Sequence, residues 1–400
     1  MRSIGMDVHR SFAQVAILDR GKFSAEIRVE LDHDAVLVFG QRLRKDDEVV
    51  LEATGNTSAI VRLLTPFVAR VVIANPLQVK AIAYARVKTD KVDAKILAQL
   101  HAAGFLPEVW VADDETLNLR RLVSERSALV RSVRRVKSRV QAVLHANLVP
   151  KYAGHLFGKG GRHWLSTAPL PQAERDLLVR HLDELDWLNG KLEKLDGALA
   201  RLSLDDARTR KLMSIAGISS VVATAVIAAI GDISRFPTPD RLASYFGLTP
   251  RVRQSGDGRA IHGRISRQGN TVARTMLIEA AWSAASVPGP LRAFFLRIKD
   301  RKGLNVAAVA TARKIAGLIW QLLTKEEPYR WARPAFVAMK MRKLELRAGA
   351  ARAHGPAGPG RDYWLKEIRH REMELVAQAE AAYAGMVEAW RDRPPKLRKG

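Results

Sequence analysis

Ser3-Ile4-Gly5-Met6-Asp7-Val8 is a short apolar run with one acid near its end. A turn follows, and Phe12 to Leu18 then alternates, with Ala13, Val15 and Ile17 on one face. Two such runs around a short turn predict a β-hairpin. Further along, Glu48-Val49-Val50-Leu51-Glu52 predicts another strand, ended by Ala53-Thr54-Gly55-Asn56. Arg70-Val71-Val72-Ile73-Ala74 predicts another, stopped by Asn75-Pro76, and Gln78 to Leu100 carries apolar residues at helical spacing. A hairpin followed by strands alternating with helices gives residues 1–112 an α/β, mixed-sheet reading.

The rest of the chain changes character. Residues 113–205 predict a helical, coiled-coil-like arm. Its first helix starts at Asp113-Asp114-Glu115, acids that suit the positive end of a helix dipole. A second helix, from about Gln172 to Leu202, repeats Leu every three or four residues. A Gly-rich break at 157–162 separates the two. Residues 206–335 predict a helical domain with a tight turn at Gly217, a short helix at 242–246 and a loop-like segment over 247–270. Residues 336–400 predict a linker, an accessory helix and a basic tail.

Composition narrows the function. The 400 residues suggest two to four domains at about 100–200 residues each. With 66 Lys and Arg against 41 Asp and Glu, the net charge is +25 and the implied partner is a polyanion, most simply nucleic acid. Cysteine is absent, which excludes disulfides, a thiol nucleophile and thiolate metal sites. No uninterrupted apolar run approaches the roughly 20 residues of a membrane span. The N-terminus lacks a signal-peptide apolar core, so a cytoplasmic location is expected.

Three constellations could carry chemistry. Asp7 and Glu52 end two strands, while Asp90 and Asp93 sit three apart on one side of a helix start. Four carboxylates brought together suit Mg²⁺ or Mn²⁺, and two such ions can clamp a phosphodiester. Asp90 and Asp93 equally suit a helix N-terminus, and Glu52 a turn. The second constellation is Ser255, set among Arg251, Arg253, Arg259, Arg264, Arg267 and Arg274 with a single acid, Asp257. Guanidinium forks grip phosphates, and a hydroxyl among them can attack one, although a Ser-Gly pair in a basic loop also reads as a plain turn. The third is the turn at Gly217, whose backbone amides could hold a phosphate or simply join two helices. On the first arm helix Arg131, Arg134 and Arg135 belong to a basic face that either meets nucleic acid or is solvated. The ten histidines show no paired metal-ligand spacing.

Taken in order, these stretches resemble one family. Ile4-Gly5-Met6-Asp7, Leu51-Glu52-Ala53-Thr54-Gly55, Asn75-Pro76 and Lys88-Thr89-Asp90-Lys91-Val92-Asp93-Ala94 resemble the RuvC-like half of the DEDD-type insertion-sequence transposases, the bridge-RNA-guided recombinases related to the Piv invertase. An acid in such a first strand, followed by a hairpin, is how a RuvC or RNase H sheet begins. Gly247-Leu248-Thr249-Pro250-Arg251, Gln254-Ser255-Gly256 and Gly263 to Asn270 resemble the family's second domain. The resemblance covers about residues 1–325. It implies a RuvC/RNase H-like α/β domain joined to a helical arm and a helical C-terminal transposase domain. It further implies a metal site of Asp7, Glu52, Asp90 and Asp93, and a nucleophile at Ser255 that forms a phosphoserine link to DNA, with Ser266 the rival hydroxyl. Donor and target DNA, a structured guide RNA and a dimer-of-dimers assembly are the implied partners, with no membrane. Ser219 stands where a glycine often closes the hairpin turn. Two rivals are a RuvC-type nuclease that uses water and a non-enzymatic nucleic-acid-binding protein.

Overall fold

The computed structural model describes residues 1–82, 89–254, 256, 260–325, 327, 329–351 and 360–391. The chain divides into two compact units, Met1–Asp113 and Asp114–Gly400.

The first unit is a mixed sheet with helices on its faces. Its elements are β1 (Ser3–Val8), β2 (Phe12–Asp19), β3 (Lys22–Glu30), α1 (His33–Gln41), β4 (Glu48–Glu52), α2 (Thr57–Leu64), β5 (Arg70–Ala74), α3 (Pro76–Ile82), α4 (Asp90–Ala102) and β6 (Glu108–Val109). The strand order is β3-β2-β1-β4-β5-β6. β1 pairs antiparallel with β2 and parallel with β4, and β4 pairs parallel with β5. The central parallel strands are consistent with the RuvC-like sheet that the resemblance implies. Ile4, Met6 and Val8 of β1 join Val49 and Leu51 of β4 in a core with Val36, Phe39, Ile60 and Leu64 of α1 and α2. Val50 and Leu97 belong to a second core on the other face. One buried carboxylate ties the strand starts together. Asp47 accepts from Arg2 Nε at 2.8 Å and from the Arg44 amide at 2.7 Å.

Two differences from the sequence reading stand out here. β3 has no counterpart in that reading, although Phe23, Ala25, Ile27 and Val29 alternate with polar residues and Ala25, Ile27 and Val29 pack on the sheet core. The expected helix over 78–100 is two pieces, α3 and α4, and residues 83–88 between them lie outside the described residues.

The second unit is mostly helical. Its elements are α5 (Asp114–Ala146), α6 (Lys159–Thr167), α7 (Gln172–Asp205), α8 (Ala207–Met213), α9 (Ser220–Ile230), α10 (Pro239–Tyr245), β7 (Pro250–Arg253), β8 (Ile261–Ile265), α11 (Thr271–Ala285), α12 (Pro290–Lys302), α13 (Leu304–Thr324), α14 (Pro334–Ala348) and α15 (Lys366–Arg391). α5 and α7 pack antiparallel. Val123 meets Leu195 and Leu199, Val133 and Val136 meet Leu185 and Leu188, and Val140 and Val143 join Leu178. Arg126 Nε donates to Asp196 at 2.6 Å, and Arg139 donates to Glu184 at 2.8 Å, in the same antiparallel sense. The Gly-rich stretch is no simple break, since Gly158 caps α6, which then packs Leu165 into the end of the helix pair. The segment expected to be loop-like contains the hairpin β7–β8, whose short exposed strands lack an apolar alternation to announce them.

α13 is long and apolar enough to cross a membrane by length and composition alone. Here its Ala312, Ile315, Ala316, Ile319 and Leu322 side chains sit in the main helical core with Leu277 and Ala281 of α11.

Candidate functional site

The position of the acids follows from strand alternation. β1 and β4 run parallel with Ser3 beside Glu48 and Met6 beside Leu51, so the next pair in register is Asp7 and Glu52. Side chains of paired residues point to the same face. Ile4, Met6, Val49 and Leu51 take the α1/α2 core. Ser3, Gly5, Asp7, Glu48, Val50 and Glu52 therefore face the other way, where α4 lies. Three contacts hold α4 there. Ser3 Oγ donates to the Ala98 carbonyl at 2.9 Å, His101 Nε2 lies 2.5 Å from Glu48, and Lys95 pairs with Glu26 of β3 at 2.6 Å. Gly5 permits the approach, because a Cβ there would sit 1.9 Å from the Ala94 carbonyl oxygen.

That docking directs the N-terminus of α4 toward the ends of β1 and β4. Thr89 caps it by accepting from the Val92 amide at 3.3 Å, and Asp90 and Asp93 occupy the first turn. The structure brings Asp7 and Asp90 together around a third residue that the sequence reading missed. His9 Nε2 lies 3.3 Å from Asp7 Oδ2 and 3.2 Å from Asp90 Oδ2. One donor atom from each of the three residues falls within 4.8 Å of the others. Nε2 is buried, yet it is directed at neither carboxylate as a hydrogen bond requires. A buried nitrogen between two carboxylate oxygens, without a hydrogen-bond partner, is a donor set that fits a divalent cation. The available signal for His9 was its spacing. It follows Asp7 by two residues, which returns a side chain to the same side of an extended chain.

Glu52 is half-exposed and next in register to Asp7, and Asp93 lies one helical turn beyond Asp90, but the donor atoms that converge among the described residues are those of Asp7, His9 and Asp90.

In the helical unit, Ser255 and Arg259 lie outside the described residues. β7 and β8 flank them, with Arg253 paired to Ile261. Arg251, Arg253, Arg264 and Arg267 are exposed, and Arg251 donates to the Ser266 carbonyl at 3.4 Å. Arg274 is turned inward. Its guanidinium donates to the carbonyls of Phe246 at 3.3 Å and Arg267 at 3.1 Å, and burial, with Arg267 nearby, lowers its pKa. On α5, Arg131, Arg134 and Arg135 are exposed, and Arg134 lies 3.6 Å from Glu279.

The Gly217 turn joins α8 to α9 as expected. Gly217 has φ +86°, and a Cβ there would sit 2.1 Å from the Ala280 carbonyl oxygen, so glycine serves the close packing against α11. Ser219 caps α9 by accepting from the Val222 amide at 3.4 Å. The turn's carbonyls are held by Lys340 of α14, which donates to Met213 and Ile218 at 2.8 Å and to Ile215 at 3.4 Å. Burial pushes the Lys340 ammonium down to about 7, and Arg333 adds to the effect.

A mixed sheet with acids at the ends of its central strands, in a strongly basic chain, is consistent with an enzyme acting on nucleic-acid strands. Comparison with known proteins makes the class specific. The DEDD_Tnp_IS110 transposase model matches residues 4–147, and the model of the transposase IS116/IS110/IS902 family matches residues 209–296. A probable family 20 transposase of Pseudomonas aeruginosa is 30% identical over 338 residues, covering 82% of this chain and 98% of that protein. The transposase for insertion sequence element IS1111A of Coxiella burnetii is 27% identical over 347 residues, covering 82% and 92%. A pilin gene-inverting protein of Moraxella bovis is 27% identical over 266 residues, covering 65% and 74%. The chain belongs to the IS110-type DEDD transposases, enzymes that recombine DNA strands.

Proposed function

We propose that this transposase cuts and rejoins DNA through a covalent serine link, with Ser255 as nucleophile and with Asp7, Glu52, Asp90 and Asp93 as ligands for Mg²⁺ or Mn²⁺. The observation that carries the metal part of the reading is the approach of Asp7 and Asp90 around one buried nitrogen. Bound cations would polarise the scissile phosphate and offset its charge. Ser255 Oγ forms the new P–O bond as the bond to the leaving DNA oxygen breaks, and the serine proton passes to that oxygen. Attack by another strand's hydroxyl reverses the exchange. One phosphodiester is traded for another, so rejoining needs no external energy source. The exposed Arg251, Arg253, Arg264 and Arg267, with Arg259, would hold the phosphates flanking that step.

The sequence resemblance supports three further parts of the reading. A structured guide RNA pairs with donor and target DNA, which delegates sequence choice to base pairing. The arm of residues 113–205 joins subunits into a dimer of dimers, and its basic face, with Arg131, Arg134 and Arg135, touches nucleic acid. Residues 206–335 form the serine-bearing part; residues 336–400 lie beyond the resemblance, and their helix and basic tail add RNA, DNA or subunit contacts. The name of the Moraxella relative, a gene-inverting protein, is in keeping with strand exchange that conserves phosphodiesters.

The test is to express the gene with its native flanking DNA, isolate the protein under denaturing conditions and assay for attached DNA. An adduct in wild type that is lost in Ser255→Ala supports the serine mechanism. Strand cuts that need Asp7 and a divalent cation, without an adduct in either protein, would instead support hydrolysis by water.

A further inference from the structure

The acidic corner contains a residue that an all-carboxylate site would not need. His9 follows the last residue of β1, at the turn into β2, and two contacts hold it there. Its amide donates to the Phe12 carbonyl at 2.9 Å, closing the turn. Its ring lies against Phe12, tilted by 36° with centroids 4.7 Å apart, and the Arg28 guanidinium lies over that same Phe12 ring at 3.9 Å. Arg28 is itself tied to Glu30 at 3.1 Å, two residues along β3. The imidazole is thus held by one backbone bond and one aromatic contact, neither of which uses Nε2. That atom is left buried and without a hydrogen bond, 3.2–3.3 Å from two carboxylate oxygens.

Metal-ligating imidazoles are oriented from outside the site, and the free nitrogen faces the metal. We infer that His9 Nε2 is a metal ligand beside Asp7 and Asp90, and that it turns an oxygen site into a mixed nitrogen–oxygen site that favours Mn²⁺ over Mg²⁺. The inference rests on the proposed metal role of the acids. Its chemistry is separate: Mg²⁺ takes oxygen ligands and keeps its waters, whereas Mn²⁺, although the weakest of the first-row transition ions for nitrogen, accepts an imidazole more readily than Mg²⁺ does. Phe12 is a positioning residue in this arrangement, since it acts on the cation only through the angle of the His9 ring.

The experiment uses the full chain with Mn²⁺ as the probe. Binding is followed by loss of the free-ion EPR signal, Mg²⁺ affinity is obtained by competition, and pulsed EPR reads nitrogen coupling to the bound ion. Wild type should bind Mn²⁺ with a nitrogen coupling. His9→Ala should lose the coupling and bind Mn²⁺ about 10–100-fold more weakly, with Mg²⁺ affinity changed about threefold or less. Phe12→Leu should keep the coupling but weaken Mn²⁺ binding by a smaller factor. His9→Gln, which keeps a polar side chain at the turn, separates loss of the nitrogen ligand from loss of folding, and circular dichroism checks all the variants.

Mn²⁺ binding that is abolished by Asp7→Asn but shows no nitrogen coupling in wild type would overturn the role of His9 and leave the acidic metal site standing. So would a coupling that persists in His9→Ala. Tighter Mn²⁺ binding in His9→Ala would identify the imidazole as an internal counter-charge rather than a ligand. No Mn²⁺ binding by wild type would remove the metal site itself and the inference with it.

Discussion

Replacing Gly5 by alanine tests whether the metal corner depends on how closely α4 lies on β1. The added Cβ would be 1.9 Å from the Ala94 carbonyl oxygen and 2.8 Å from the Ala98 amide nitrogen. Both atoms are backbone, so no side chain can swing aside. To reach the 3.4 Å of ordinary contact from 1.9 Å, the helix must retreat by about 1.5 Å. Overpacking of this kind costs about 1–3 kcal/mol, and sometimes more. For a domain near 100 residues that corresponds to a fall of roughly 4–24 °C in the melting temperature of the sheet unit. The functional loss should be larger than the stability loss. Asp90 sits on α4 and Asp7 on β1, whereas ligand distances tolerate only about ±0.2 Å. Mn²⁺ affinity in Gly5→Ala should fall at least about tenfold while the variant remains folded at 20 °C. The assays are Mn²⁺ titration and thermal unfolding followed by circular dichroism. Unchanged affinity with a melting point within a degree of wild type would refute the claim that the close approach at Gly5 sets the spacing between Asp7 and Asp90.

Lys340 gives a pH prediction for the helical unit. Its folded pKa of about 7 lies below the ordinary 10.5, so between those values the unfolded chain holds the proton more tightly. Stability should therefore rise with pH across that window, by at most about 1.4 kcal/mol per unit, and the gain should be absent below pH 7. Chemical denaturation of wild type and Lys340→Met from pH 6.5 to 9.5 reads the difference, and parallel curves would defeat the assignment. Leu185 is fully buried between α5 and α7, and Leu185→Ala should destabilise that helix pair by about 2–5 kcal/mol in urea unfolding. Replacing the exposed Arg251, Arg253 and Arg264 by glutamine should leave the melting temperature unchanged. DNA affinity should drop, and the slope of log K against log salt should shrink by about 0.9 for each DNA phosphate no longer neutralised. An unaltered slope would remove β7–β8 from the DNA interface.

Local patterns carried much of the architecture. Apolar runs marked β1, β2, β4 and β5, because buried strands of a mixed sheet need continuous or alternating apolar residues. Leu and Val repeats marked α5 and α7 for the same reason at a different period. β3 carries such a mark too, in the alternation of Phe23, Ala25, Ile27 and Val29, whereas β7 and β8 are too short and too exposed to show a clear one. Gly158 looks like a break in the sequence because its role as the cap of α6 depends on the chain that follows it. Asp7, Glu52, Asp90 and Asp93 could be singled out because strand ends and helix starts are legible in sequence, and the order of motifs led to the transposase family.

What sequence alone determined, then, is the set of strands and long helices, the four acids at their ends, the basic surplus and the family. Tertiary structure decided which of these residues meet. His9 has no motif of its own, and its place beside Asp7 and Asp90 arises from a turn geometry, a ring tilted against Phe12 and a helix docked from more than eighty residues away. Arg274 looks like any other arginine of a basic loop until its guanidinium is found on two backbone carbonyls. Lys340 is an ordinary lysine in a charged helix until α14 buries it against the carbonyls of the Gly217 turn. In each case the chemistry depends on distance and desolvation, and both are properties of packed elements rather than of neighbours along the chain.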